Sequence, residues 1–146
     1  MKVSKRTEYG LRAIVTLAEL SVPGARPVPL REIASQEQIP EAFLDQIFGT
    51  LRKEGVVMSV RGASGGFLLA HSPQDIRMGQ IVKLLEGSMA PIGCVGDDLV
   101  APMDFCFKAS SCHTRNVWLQ LYQSIEQALD ALSLADVMTK DLGVPN

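Results

Sequence analysis

At 146 residues, with 47% hydrophobic positions and a formal charge of −2, the chain has the length of one compact domain with room for a helical arm, not for two independent cores. The near-neutral total speaks against a generic polycation for nucleic acid. An odd count of three cysteines, no export signal within residues 1–20, and apolar runs broken by Arg12, Glu19 and Lys83 lead to three expectations: reduced thiols, a cytoplasmic location and no membrane segment.

In chain order, Ser4 is a plausible N-cap for a first helix carrying Leu11, Ile14, Val15 and Ala18 at helical spacing and ending before Pro23 and Gly24. After a stretch rich in proline and glycine, a short helix fits residues 30–36. Pro40 then opens another helix, from residue 41 to about 54, on which Phe43, Leu44, Ile47, Phe48 and Leu51 recur at three- and four-residue intervals. Two short helices joined by a tight turn form a helix-turn-helix candidate. Residues 56–60 read as a strand, 62–66 as a glycine-rich turn and 67–70 as its partner strand. A hairpin directly after the second helix is the wing of a winged helix. The predicted class is therefore mainly α with a small β-hairpin wing. The expected organisation is a DNA-binding unit over residues 1–86, a cysteine loop over 87–114, and a dimerisation helix with its tail over 115–146. On that last helix Trp118, Leu121, Ile125, Ala128 and Leu132 form an apolar stripe, for which a second copy of the chain is the expected partner.

Charge follows this division. Residues 1–66 carry nine Lys or Arg against seven Asp or Glu, and residues 67–146 carry five against nine. A helix about 10–12 Å across fits the major groove of double-stranded DNA, while a hairpin tip beside it reaches the minor groove or phosphates. On the third helix Asp45 and Gln46 are candidates for reading base edges, with Thr50, Arg52 and Lys53 placed for phosphates. At the wing, Arg61 is a candidate for minor-groove insertion, with Gly62 and Gly65 bringing backbone amides close to the DNA. Lys5 and Tyr9 on the first helix complete the candidate DNA-binding set. Each of these residues has an ordinary reading as a solvent-facing position.

The three cysteines, Cys94, Cys106 and Cys112, fall within nineteen residues and are separated by eleven and then five positions. Clustered thiolates are what iron-sulfur clusters and zinc take as ligands, and buried cysteines also serve as small apolar residues. Residues 62–66, Gly-Ala-Ser-Gly-Gly, match the nucleophile elbow of hydrolases literally. The elbow needs a helix after its strand, and here a second strand and Pro73 follow, so no enzyme is expected. His71 reads as an exposed residue at the end of the wing.

The opening "MKVSKRTEYGLRAIVTLAEL" and the run "IPEAFLDQIFGTLRKEGVVMSVRGASGGFLL", with its RG-x-x-GG wing, resemble the Rrf-type family of bacterial winged-helix regulators that includes the IscR, NsrR and RirA sensors. The resemblance runs through the cysteine loop and the helix beyond it. It implies a homodimer on a palindromic operator that senses iron, oxygen, nitric oxide or redox state through an iron-sulfur cluster, 2Fe-2S or 4Fe-4S. Cys94, Cys106 and Cys112 would then be metal ligands. The first cysteine gap is longer than in IscR-like and NsrR-like members and holds Asp97, Asp98 and Asp104. The histidine that IscR-like members place three residues after the last cysteine is Arg115 here. NsrR-like members supply an acidic residue from the first helix of the other subunit, and Glu8 matches it. Structural zinc, a Cys106–Cys112 thiol switch or a partner-controlled regulator without a cofactor are the alternatives on the same fold.

Overall fold

The computed structural model describes residues 2–21, 26–96 and 106–139. Pro23, Gly24, Asp97, Asp98 and Asp104 lie outside the described residues. Six helices and one hairpin follow in order: α1 (Lys5–Ser21), α2 (Leu30–Glu37), α3 (Glu41–Lys53), β1 (Val57–Val60), β2 (Gly66–Leu69), α4 (Met78–Glu86), α5 (Arg115–Ala131) and α6 (Leu134–Met138).

Ser4 does cap α1: its Oγ accepts the Thr7 backbone N–H at 3.2 Å. The α2–α3 turn is made by Gln38, whose positive φ of 54° ends α2, and by buried Ile39, with Pro40 leading into α3. Leu44, Ile47, Phe48 and Leu51 bury one face of α3, as their spacing predicts, leaving Asp45, Gln46, Arg52 and Lys53 exposed. They pack with Ala13, Ile14 and Leu17 of α1 and Ile33 of α2 into one core, which Ile81 of α4 also joins. β1 and β2 pair antiparallel with Val57 opposite Leu69 and Val60 opposite Gly66. Phe67 packs edge-on against Phe48 with centroids 5.0 Å apart, fastening the wing to α3.

Two elements go beyond the sequence reading. α4 occupies residues that had been given no element, and it buries Met78, Gly79, Ile81, Val82 and Leu85. α6 is a five-residue helix closed by a capping box between Ser133 and Asp136. It brings fully buried Leu134 back into the first core, where the Leu134 N–H donates to the Ile76 carbonyl at 2.8 Å. α5 forms where the stripe predicts, yet only Tyr122 on it is buried, while Val117 and Trp118 remain 60% and 37% exposed. Leu121, Ile125 and Leu132 of the stripe are half-buried, and among the described residues nothing buries Trp118 at its start.

Gly66 marks the tightest approach of the wing. Its φ is 154°, and a Cβ there would run into the Val28 carbonyl and lie 2.6 Å from the Pro29 nitrogen. Backbone cannot yield as a flexible side chain can. Gly49, on α3, has open space at its Cβ position. Gly66→Ala should therefore lower the unfolding free energy by about 2 kcal/mol or more, whereas Gly49→Ala should raise it by roughly 0.5–1 kcal/mol. Urea denaturation of the two variants beside the wild type checks both signs.

Candidate nucleic-acid interface and cysteine segment

α3 and the wing tip share a run of exposed polar side chains. Asp45, Gln46, Arg52 and Lys53 project from α3, and Arg61 and Gly62 are exposed at the tip. The tip is closed by a Gly65 N–H bond to the Gly62 carbonyl at 3.0 Å, and Gly62 adopts a φ of 112° that favours glycine. Thr50 is half-buried because it is in use: its Oγ1 accepts from Arg6 Nη2 at 2.6 Å and donates to the Gln46 carbonyl at 3.3 Å. Arg6 thus pins the start of α1 to the middle of α3, and its buried Nε has no hydrogen-bond partner. Arg6 was missed in the sequence because nothing local distinguishes it from its basic neighbours.

Tyr9 stands edge-on to Phe43 of α3, with centroids 5.6 Å apart, and is flanked by the cations of Lys5 at 5.5 Å and Arg12 at 5.6 Å. Lys5 Nζ pairs with Glu8 Oε2 at 2.7 Å, and both side chains are well exposed, so this pair adds little to stability. Glu8 raises the Lys5 pKa, first through that hydrogen bond and then through its charge. Lys5, Glu8 and Tyr9 therefore form one patch at the start of α1, next to the recognition helix and within the same chain.

The cysteine segment is organised around Arg115, the first residue of α5. Arg115 Nε donates to the Cys94 carbonyl at 2.9 Å, and its backbone N–H donates to the Cys112 carbonyl at 3.3 Å. The two outer cysteines are thereby anchored to the same residue at the head of one helix. Between them, Cys106 begins a run of turns in which the Ala109 N–H bonds the Cys106 carbonyl at 3.0 Å. All three cysteines are free and half-buried. Cys112 Sγ lies 3.1 Å from Thr114 Oγ1. The Thr114 hydroxyl, and after it the backbone N–H of Arg115, hold the Cys112 thiol below its ordinary pKa. Among the described residues, no three Cys, His, Asp or Glu side chains gather at a point where one metal ion would sit. The donor types nonetheless suit a cluster: three unpaired thiols, one of them biased toward the thiolate that metal binding requires. Also among the described residues, no helix is long and apolar enough to cross a membrane.

A helix-turn-helix with an adjoining wing, followed by a long helix whose apolar face is partly exposed, defines a winged-helix regulator. Residues 3–140 match the Rrf2 family, described as iron-dependent transcriptional regulators, and the chain belongs to that family. An Rrf2-like helix-turn-helix regulator of Rhodobacter capsulatus is 32% identical over 137 residues, which cover 93% of this chain and 91% of that one. The structure of CymR, the global cysteine regulator of Bacillus subtilis, superposes with a TM-score of 0.75 at 31% identity, over 96% of this chain and 98% of that one. IscR from T. potens gives a TM-score of 0.73 at 36% identity, over 96% and 88%.

Because Thr114 is the largest influence on the Cys112 thiol, the pH at which this cysteine becomes half-reactive toward iodoacetamide should lie below that of an ordinary thiol. Thr114→Val should move it upward. Alkylation rates followed by mass spectrometry between about pH 6 and 10, spanning the ordinary cysteine value, check this, and identical profiles in the two proteins would contradict it.

Proposed function

We propose that this Rrf2-family regulator is a cytoplasmic homodimer that binds a palindromic operator in double-stranded DNA, with affinity set by the chemical state of its cysteine segment. In this reading residues 1–86 form the DNA-binding unit, 87–114 the sensing segment and 115–146 the dimerisation arm. One observation carries it: Arg115 holds Cys94 and Cys112 together at the head of α5, the helix whose exposed Val117 and Trp118 suit a second copy of the chain. A change at the cysteines is then a change at the base of the dimer arm. Half-sites about one helical turn apart make the angle between two recognition helices a sensitive quantity.

In the dimer, Cys94, Cys106 and Cys112 would hold an iron-sulfur cluster, with Glu8 of the other protomer offering a carboxylate as the remaining donor. When bound, such a cluster supplies a centre that reacts with oxidants or nitric oxide. This chain's own part is to present the three thiols and to tie their backbone to α5. The Glu8 carboxylate is exposed and, among the described residues, pairs with exposed Lys5, so it can be released at small cost. On α3, Asp45 and Gln46 would read bases while Arg52 and Lys53 hold phosphates; Thr50 would join them by turning its hydroxyl proton from the Gln46 carbonyl to a phosphate. Lys5 and Tyr9 add contacts from α1, and Arg61, Gly62 and Gly65 engage the DNA through the wing.

A second reading has an observation of its own. The lowered pKa of Cys112 suits a thiol switch, in which oxidation of Cys112 with Cys106 replaces a metal.

Anaerobic purification, with an absorption spectrum and iron and acid-labile sulfide measured on the same sample, separates the two readings. Broad visible absorption with matched iron and sulfide is the expected result, and it should be lost in the Cys94→Ala, Cys106→Ala and Cys112→Ala variants. Glu8→Ala should retain the cluster but shift its spectrum and shorten its lifetime in air; no change would remove Glu8 from the ligand set. A colourless protein whose DNA affinity follows added diamide and dithiothreitol would establish the thiol switch instead. Against a duplex selected from a random pool, Arg61→Ala should weaken binding and reduce the slope of log affinity on log salt by about 1 if Arg61 neutralises one phosphate.

A further inference from the structure

The first turn of α1 is capped from elsewhere in the chain. In an ordinary capping box, an acidic or amide residue at the third helical position accepts the backbone N–H of the N-cap residue. Here that position holds Thr7, which is neither acidic nor an amide and whose hydroxyl is turned to Glu86. Glu86, 82 residues away, takes the role: Oε2 and Oε1 accept the Ser4 N–H at 3.1 and 3.3 Å, and Oε2 also accepts the Ser4 hydroxyl at 2.7 Å. The Thr7 hydroxyl, on a side chain that is 1% exposed, donates to the same carboxylate at 2.5 Å. Three donors thus converge on one carboxylate through four contacts. Thr7 and then Ser4 hold its pKa below the usual carboxylate range, so it is anionic at neutral pH.

The position of Glu86 in the chain gives this bond its meaning. It is the last residue of α4, and Gly87, with a φ of 80°, begins the path toward Cys94. Ser88, Met89, Ala90 and Pro91 share a cleft with Lys2, Val3 and Glu86. From the other end of the bond, α1 reaches α3 within the next turn through Arg6–Thr50 and Tyr9–Phe43. We propose that Glu86 is a positioning residue that ties the start of the cysteine segment to the DNA-binding face, by fixing the first turn of α1 against α3. A displacement of residues 87–94 would pull on Glu86, loosen the cap and shift Lys5, Arg6 and Tyr9 together. This inference rests on the reading of residues 87–114 as the sensing segment.

The test uses full-length wild type, Glu86→Ala and Thr7→Val, with thermal melts to show that each variant folds. Affinity for the selected duplex is measured with the cysteines free and after carbamidomethylation, and amide exchange is followed at Ser4, Thr7 and Glu8. In the wild type, modification should change the dissociation constant at least about fivefold. Both variants should bind about tenfold more weakly with free thiols, an order typical of one lost interaction. Their modified-to-free ratio should fall toward one, and exchange at the three amides should accelerate. A variant that keeps the wild-type ratio overturns the coupling, since a merely structural role would weaken both states alike. A wild-type ratio near one overturns the sensing reading itself. Positioning by Glu86 then stands or falls on affinity and exchange in Glu86→Ala alone, and wild-type values there sink it.

Discussion

The burial of one face of α1 is the constraint on which the remaining structure depends. Ala13, Ile14 and Leu17 are fully buried, and α1 packs against α2, α3, α4, α6 and β2. Its approach to α4 is close enough that a Cβ at Gly10 would overlap the Leu85 side chain. An error in the placement of α1 would therefore be felt in α3, the wing and the return of α6 together. Further along α1, Glu37 bonds both Arg12 and Thr16, which locks the end of α2 onto the same helix. α1 is thus held by one carboxylate at its first turn and another along its middle, in addition to its apolar face.

That arrangement also bears on the charge a nearly neutral chain presents at α3 and the wing. Glu86 is taken up by Ser4 and Thr7 and Glu37 by Arg12 and Thr16, while Glu32 pairs with Arg26 at the surface at 2.7 Å. Arg52, Lys53 and Arg61 are exposed at the end of α3 and on the wing, beside exposed Glu41, Asp45 and Glu54. What matters for a phosphate backbone is the local field at the surface, not the total.

Much of the fold was legible in the sequence because its signals are local. Ser4 capping α1, Pro40 leading into α3, the three- and four-residue spacing of the α3 core and the glycine-rich wing tip all declare themselves within a few residues. α4 was harder to read because it spans only nine residues with a glycine near its start, although Met78, Ile81, Val82 and Leu85 are buried and Gln80 and Lys83 face outward. α6 did carry a readable sign, the Ser133-x-x-Asp136 box, but five residues after a long helix read as a tail. The anchoring roles of Arg6, Glu86 and Arg115 depend on partners 44, 82 and 21 residues away. No pattern within the sequence encodes such pairings, since each looks locally like an ordinary helical charge.

The cysteine segment shows why chemistry at a sensor is harder to read than its scaffold. A hydroxyl and a helix N-terminal amide that favour the Cys112 thiolate serve a metal ligand and a redox thiol equally, because both functions begin with loss of the same proton. Local electrostatics therefore does not discriminate between them. Assembly does: a cluster needs several donors at one point, whereas a switch needs only two sulfurs able to meet. Arg115 bears on both, since it anchors Cys94 and Cys112 through their carbonyls while leaving every thiol free. It also occupies the place where IscR-like relatives put a histidine ligand. A guanidinium there offers hydrogen bonds to oxygen and no ligand to a metal, so that position supplies no further donor. If such a donor lies on the partner's first helix, the dimer, rather than the loop, is the unit that selects the cofactor.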